Sequence, residues 1–217
     1  TAAMMGDIPT LDAIIQEGAL DLEMKYKDET PLHVAASSGQ LEAAEKLLDN
    51  GVSVDIKDYL GFRPITMATM SGAAAMVRLL ASRGADIHMM DDVDEKKYML
   101  LEKAASLEHM DVVQVLLDLG MDIDSVTDDD NTALMMSSLY GHLDMVKFLI
   151  AAGASLELTN HQGNTAGERQ WCLVICLIFS YLSPCMLTCF TLLRAITSIA
   201  VMAAAFKGHP RVVRELV

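Results

Sequence analysis

A pattern of paired alanines, a glycine and paired leucines recurs along the chain at a spacing of 33 residues. The clearest copy contains Thr30-Pro31-Leu32-His33, Ala35-Ala36, Gly39, Leu47-Leu48 and Gly51. Its first leucine and the two alanines fall on one face of a short helix, which the first glycine ends. A second apolar stripe follows over residues 41–49, and the last glycine lies just past its end. The pattern therefore predicts two short helices in each copy, joined by a turn and followed by a polar loop.

Other copies keep the same order of small and apolar residues. The second has Pro64, Ile65, Ala68, Gly72, Leu79-Leu80 and Gly84. The third has Leu101, Ala104-Ala105, Leu116-Leu117 and Gly120, and the fourth has Thr132, Leu134, Gly141-His142, Leu149-Ile150 and Gly153. A partial copy precedes the first with Gly6, Ile14-Ile15 and Gly18, and a fifth opens at Gly163-Asn164-Thr165-Ala166 and then breaks off. Units of this size cannot bury an apolar face alone, so they are expected to stack.

Departures from the pattern identify the weaker copies. In the clearest copy, Thr30 is placed to cap the first helix through its hydroxyl, and Pro31 suits the first helical position. The second copy has Arg63 where this threonine stands, so the capping hydroxyl is lost. The third copy is offset by about three extra residues before Met99 and has Glu108 in place of the glycine. We expect the third copy to be the least regular.

These residues resemble the ankyrin repeat, whose 33-residue period and Thr-Pro-Leu-His-x-Ala motif they match. The resemblance implies an all-α solenoid of about five to six helix-turn-helix repeats with short finger loops, plus an apolar helical insertion. It makes Thr30, Pro31, Leu32 and His33 structural, with the histidine ring hydrogen-bonded to nearby backbone or to the threonine. The expected divisions are repeats over 1–166 (1–25, 26–58, 59–92, 93–128, 129–160 and 161–166), an insertion at 167–200 and the remainder of the interrupted repeat at 201–217. Both ends fall inside helices of a repeat, which suggests a fragment of a longer array.

The insertion has three interpretations. Residues 171–193 carry no charge and are long enough for a transmembrane helix, although the repeat resumes at Val201. Deleting 167–200 joins Ala166 to Val201 in perfect register, as a translated intron would allow. The third possibility is a helical hairpin packed on the stack. All four cysteines, Cys172, Cys176, Cys185 and Cys189, lie in this segment, and their apolar setting argues against a zinc site.

The net charge of −14 disfavours nucleic acid and anionic lipid as partners, because both require a basic surface. A basic protein surface is a better match, and solubility is the plainer explanation of the charge. The absence of cysteine outside the insertion suggests a cytoplasmic or nuclear protein, with membrane association as the alternative if 171–193 is genuine.

The resemblance places partner binding on a concave face built from finger tips and the exposed ends of the first helices. Aromatic, apolar and acidic residues at those positions are the candidates, since interfaces favour aromatics and methionine. They are Tyr59, Leu60, Phe62, Met70, Asp91, Asp92, Asp94, Tyr98, Leu107, Asp128, Asp129, Asp130, Asn131, Tyr140, His161, Gln162, Asn164 and Phe206. The competing interpretation is that Tyr140 and Phe206 cover a neighbouring repeat and that the acidic tips are merely solvated.

The sequence lacks the glycine-rich phosphate loops, the nucleophile elbow and the paired-histidine zinc motif of common enzymes. We therefore expect no catalysis, no catalytic residue, no metal and no cofactor. The function expected is binding to a protein with a basic and apolar surface. The alternative is the cytosolic ankyrin arm of a membrane protein of the channel or acyltransferase type.

Overall fold

The structure is a computed structural model that describes residues 2–17, 23, 29–88, 91–93 and 96–166. The chain divides into two compact units, residues 1–133 and 134–217. In the first unit the helices are α1 (Ala2–Met5), α2 (Ile8–Glu17), α3 (Pro31–Ser37), α4 (Leu41–Asp49), α5 (Pro64–Met70), α6 (Ala74–Ser82), α7 (Leu100–Ser106) and α8 (Met110–Asp118). A hairpin of β1 (Asp91–Val93) and β2 (Lys96–Tyr98) precedes α7.

The first unit is a two-layer stack of helix pairs. Each first helix packs on its own second helix and on the first helices before and after it, so α1, α3, α5 and α7 form one layer. The second helices α2, α4, α6 and α8 form the other layer in the same order. The predicted all-α repeat solenoid is confirmed, with one addition: the longer loop before α7 forms the short hairpin of β1 and β2.

Small side chains explain why the first helices approach closely. In α3, Leu32, Ala35 and Ala36 are completely buried, and α5 and α7 bury residues at the same positions. The predicted cap of α3 is wrong, because the Thr30 side chain makes no capping hydrogen bond. The Thr30 hydroxyl lies 2.8 Å from Nδ1 of His33 instead. The hydroxyl is therefore paired with the histidine ring rather than with a backbone N–H of the helix.

The second helices end in the way the sequence predicts. Gly51 follows α4 with φ of +86°, a left-handed conformation that costs glycine little. Its N–H donates to the Leu48 carbonyl at 3.0 Å, and the Val52 N–H donates to the Leu47 carbonyl at 3.2 Å. This pair of bonds satisfies two carbonyls at the helix end and starts the finger loop in a fixed direction. The same closure follows α6 and α8.

The third copy departs from the others in its turn and its finger, as expected, but its helices are regular. Its helices α7 and α8 have 7 and 9 residues, the same lengths as α5 and α6. Glu108 adopts φ of +63° where the other copies have glycine, so the turn keeps its shape despite the substitution. The three extra residues go into the hairpin finger rather than into the helices, because a loop can lengthen without disturbing the stacked layers.

The described part of the second unit is a further helix pair, α9 (Ala133–Tyr140) and α10 (Leu143–Ala151). Leu134, Met145 and Leu149 are buried in it, and a bridge between Thr159 and Thr165 closes its finger. Within the residues that the structure describes, no helix is long and apolar enough to cross a membrane. The predicted insertion at 167–200 and the remainder at 201–217 lie outside the described residues.

Candidate partner-binding surface

The finger at residues 58–62 is a closed turn with an apolar tip. The Asp58 N–H donates to the Phe62 carbonyl at 2.9 Å, and the Phe62 N–H donates to Asp58 Oδ1 at 2.8 Å. Gly61 has φ of +92°, which lets the chain reverse within the turn. At the tip, Tyr59 is 63% exposed and Leu60 is 42% exposed. The turn therefore holds two apolar side chains in solvent on a backbone fixed by its own hydrogen bonds.

His33 anchors this finger to the helix layer. Its Nε2 lies 2.9 Å from the Phe62 carbonyl, and its Nδ1 lies 2.8 Å from the Thr30 hydroxyl. The two contacts are satisfied together when Nε2–H donates to the carbonyl and the hydroxyl donates to Nδ1. The ring is completely buried, so it is the structural residue that the resemblance implies. Both ring nitrogens are engaged in holding the finger in place.

The other copies fill the positions of Thr30 and His33 differently. Arg63 replaces the threonine in the second copy and is buried, with Nη1 donating to the Asp86 carbonyl at 3.2 Å and lying 4.0 Å from Asp55 Oδ1. Glu102 replaces the histidine in the third copy and is 8% exposed. Burial raises the pKa of the Glu102 carboxyl to about 7, against a smaller lowering by the charge of Lys103.

The predicted apolar candidates divide into exposed and half-buried side chains. Tyr59, Leu60 and Leu107 are exposed, and Leu107 is 40% accessible at the end of α7. Phe62 and Met70 are half-buried. The prediction that Phe62 is exposed to solvent overstated the exposure of this residue, which is half-buried. Its backbone carbonyl contacts His33.

Sequence reasoning found only part of one row of the first-helix surface. Residues 32, 33, 35 and 36 of α3 are buried, whereas Val34 and Ser37 are half-buried. The same positions are half-buried on the two helices that follow, as Met67 and Met70 on α5 and as Lys103 and Ser106 on α7. We call these six residues the first-helix stripe. Helical spacing could have found Met67, because it lies three residues before Met70, which is among the sequence candidates.

The acidic finger at 127–131 repeats the turn with other residues. The Thr127 N–H donates to the Asn131 carbonyl at 3.1 Å, and the Asn131 N–H donates to the Thr127 hydroxyl at 3.3 Å. Asp128 and Asp129 are exposed at its tip, and Asp130 is half-buried with φ of +56°. The structure thus gives these carboxylates the same place on their turn that Tyr59 and Leu60 have on theirs.

For the hairpin finger, the structure describes only the backbone of the two strands. Asp91 pairs with Tyr98 and Asp92 pairs with Lys97 in the antiparallel register. Asp94 and the side chains of 91–98 lie outside the described part of the structure. Their predicted role in binding stays a prediction, as does that of Phe206, which is also outside it.

In the second unit, the predicted candidates lie at two places. Tyr140 is 58% exposed at the end of α9, and its ring stacks on His142 with centroids 6.1 Å apart. His161 and Gln162 are exposed at the tip of the finger, where the Asn164 N–H donates to Asn160 Oδ1 at 3.0 Å.

Ion pairs join successive members of the second-helix layer. Lys46 lies 2.7 Å from Asp12, and Arg83 lies 2.6 Å from Asp49. Arg78 lies 3.4 Å from Asp118. Each exposed pair stabilises the stack by about 0.2–1 kcal/mol at most. Their larger effect is on charge distribution, because these cations are neutralised on the second-helix layer while carboxylates remain exposed at the 127–131 finger.

The described residues contain no group of three or more histidine, cysteine, aspartate or glutamate side chains placed to hold a metal ion. The described surface is a set of hydrogen-bonded turns and short helices that present side chains to solvent. Such a surface can recognise another molecule by shape and charge.

Comparison with known proteins gives consistent results. Residues 1–91 and 67–160 match the family model described as "Ankyrin repeats (3 copies)". The chain is 27% identical over 165 residues to a transient receptor potential cation channel subfamily A member 1 homolog of Caenorhabditis elegans, covering 76% of this chain and 13% of that protein. It is 29% identical over 184 residues to the palmitoyltransferase AKR1 of Lachancea kluyveri, covering 78% of this chain and 25% of that protein.

Among solved structures, the human ASB11 ankyrin repeat domain superimposes with a TM-score of 0.66 at 23% identity, covering 78% of this chain and 89% of that domain. This likeness supports the fold alone. The chain spans a quarter or less of the length of the two relatives named above.

Proposed function

The chain belongs to the ankyrin repeat family, and from this premise we propose that it binds a partner protein without catalysing a reaction. The proposed surface consists of the finger tips, the exposed ends of the first helices and the first-helix stripe. Ankyrin repeats are protein-interaction modules, so the general function follows from the family. The choice of surface, the chemistry of the partner and the absence of catalysis are our proposals.

The observation that carries the proposal is the tip of the 58–62 finger. Exposing a tyrosine and a leucine side by side brings no folding benefit, since apolar surface left in water gains nothing from the hydrophobic effect. The turn beneath them is closed by Asp58 and anchored by His33. A rigid apolar tip loses little conformational entropy on binding, which makes it a good anchor for a partner.

Charge indicates what kind of partner fits. The chain carries a net charge of −14, and Asp128 and Asp129 are exposed on a finger of the first unit. A partner with lysine or arginine beside an apolar patch is attracted over distances of about one Debye length, roughly 8–10 Å at physiological salt. We propose a basic and apolar protein surface as the partner, and we do not propose nucleic acid.

A second candidate is supported by the relatives. Two proteins that this chain resembles are named as a cation channel and a palmitoyltransferase. This supports the alternative that the repeats form the cytosolic arm of a membrane protein, with 171–193 as a membrane segment. Otherwise we propose a cytoplasmic or nuclear location. Membrane fractionation separates the two: recovery of the full-length protein in the soluble fraction without detergent would eliminate the alternative.

The binding surface is tested by affinity purification from cell extract with three versions of the full chain. The wild type is compared with a Tyr59→Ser, Leu60→Ser double variant and with Arg78→Gln, which alters an exposed residue of the second-helix layer. We expect partners retained by the wild type and by Arg78→Gln to be lost by the double variant. Retention by the double variant, with loss by Arg78→Gln, would place the interface on the other layer.

A further inference from the structure

The centre of the first-helix stripe in the first unit is a pair of methionines. Met67 and Met70 lie three residues apart on α5 and are both half-buried. The helices α3 and α7 pack on either side of α5 and carry Ser37 and Ser106 beside Met70 in the repeat register. In the repeat register Met70 therefore lies between two short side chains, and Met67 lies between Val34 and Lys103.

The serines around this pair direct their hydroxyls inward. Ser37 Oγ donates to the Val34 carbonyl at 3.1 Å, and Ser71 Oγ donates to the Ala68 carbonyl at 3.1 Å. Ser106 Oγ donates to the Lys103 carbonyl at 2.8 Å. A hydroxyl that already donates within its own helix loses little when an apolar group covers it, because no donor is stranded away from water. The two serines of the stripe, Ser37 and Ser106, can thus be covered by an apolar group at small cost.

Methionine is suited to contacts with partners of variable shape. Its unbranched thioether has three rotatable bonds and is polarizable, so it adapts to the side chain placed against it. Neighbouring packed helices lie about 8–10 Å apart, so one bulky side chain could contact Met67, Met70 and the serines of an adjacent helix together. Because the chain is acidic, it should bind an apolar segment that carries positive charge in preference to one that does not.

From these observations we propose that Met67 and Met70 form an apolar anchor site for a partner segment that carries one bulky apolar side chain flanked by lysine or arginine. This rests on the proposed function and assigns its partner chemistry and its central contact. Lys103 is the one cation among the six residues of the stripe. Its charge opposes a cationic segment, so its removal should strengthen binding rather than weaken it.

The test starts from a displayed library of random 12-residue peptides selected on the full chain. We expect the enriched peptides to combine a leucine, phenylalanine or tryptophan with two or more lysine or arginine residues. Enrichment of acidic or purely polar peptides, or no enrichment, would overturn the proposal. The best enriched peptide is then labelled with fluorescein and titrated by anisotropy.

Five proteins are compared in the titration. Met67→Gln, Met70→Gln together should weaken binding about tenfold or more, because glutamine keeps the length but not the apolar character. Leu79→Ser, a half-buried apolar position of α6 in the other layer, is the matched control and should bind like the wild type. Lys103→Gln should bind more tightly. Tyr59→Ser measures the finger contribution.

The outcomes separate this inference from the proposed function. Loss of binding in Tyr59→Ser with unchanged binding in the methionine double variant would refute the methionine site while the finger surface stands. Unchanged binding in both would refute both. Because the double variant could be destabilised, methyl-labelled methionine is also observed by NMR in the wild type, with Met67→Leu and Met70→Leu used for assignment. Peptide must shift those two methyl signals, and unshifted signals would overturn the proposal.

Discussion

The buried carboxyl of Glu102 makes the stability of the repeat stack depend on pH in a direction opposite to that of most carboxylates. Its pKa is raised from 4.5 to about 7 because burial disfavours the charged form. Between these two pH values the folded chain holds a proton on Glu102 that the unfolded chain releases. Stability from this group is therefore fully present below about pH 4.5 and is lost as the pH rises to about 7.

The magnitude follows from the same two values. At about 1.4 kcal/mol for each pH unit between 4.5 and about 7, the free energy of unfolding falls by about 3 kcal/mol. The Glu102→Gln variant removes the charge and keeps the shape. It should match the wild type near pH 4.5 and exceed its free energy of unfolding by up to about 3 kcal/mol at pH 8.

The assay is urea denaturation of the full chain at pH values from 4.5 to 8, followed by circular dichroism. Glu42→Gln changes an exposed carboxyl of α4 and serves as the control. The difference between Glu102→Gln and the wild type should grow with pH, whereas that of Glu42→Gln should stay small. A difference for Glu102→Gln that is constant across this range would refute the reasoning, since the carboxyl would then ionise alike in both states.

Three further predictions concern glycine positions and the insertion. In urea denaturation, Gly72→Ala should lower the free energy of unfolding by about 1 kcal/mol or more beyond the loss in Gly39→Ala. Both glycines have positive φ, but only at Gly72 would a Cβ lie 2.9 Å from Nδ1 of His109. Equal losses in the two variants would contradict this. Glu108→Gly should raise the urea midpoint by relieving about 1 kcal/mol of left-handed strain, and a lowered midpoint would show that the side chain compensates for it. Tryptic mass spectrometry of the native protein should find a peptide joining Ala166 directly to Val201 if 167–200 is a translated intron, and peptides bounded by Arg169 and Arg194 if the insertion is real.

Much of the fold was predictable because the repeat specifies it redundantly. Gly51 ends the second helix, whereas Leu47 and the alanines of α3 fill the core. Residues at the same positions of the next copies have the same roles. Capping was harder to predict. Thr30 has the residue type of a helix cap, but His33 competes for its hydroxyl, and the four residues Thr30–His33 do not by themselves show which partner the hydroxyl takes.

The candidate surface was only partly predictable for a different reason. Exposure at a finger tip depends on the turn, so Tyr59 and Leu60 could be placed from the register of the repeat. Helical spacing could have placed Met67 on the same row as Met70, whereas the packing of α3 and α7 on α5 leaves both side chains half-buried rather than buried. Glu102 takes the place of His33 in the third copy, and the structure tolerates its buried carboxyl at an electrostatic cost.

The most direct test of the account is photocrosslinking of the full chain to its partner. A benzoylphenylalanine replaces Tyr59 or Leu107 on the proposed surface, or Ala75 or Ser82 at exposed positions of the second-helix layer. The account predicts crosslinks to the same protein from the first two positions and none from the last two. Crosslinks that form only from Ala75 and Ser82 would contradict it, because the partner would then lie on the layer where the cations are already paired.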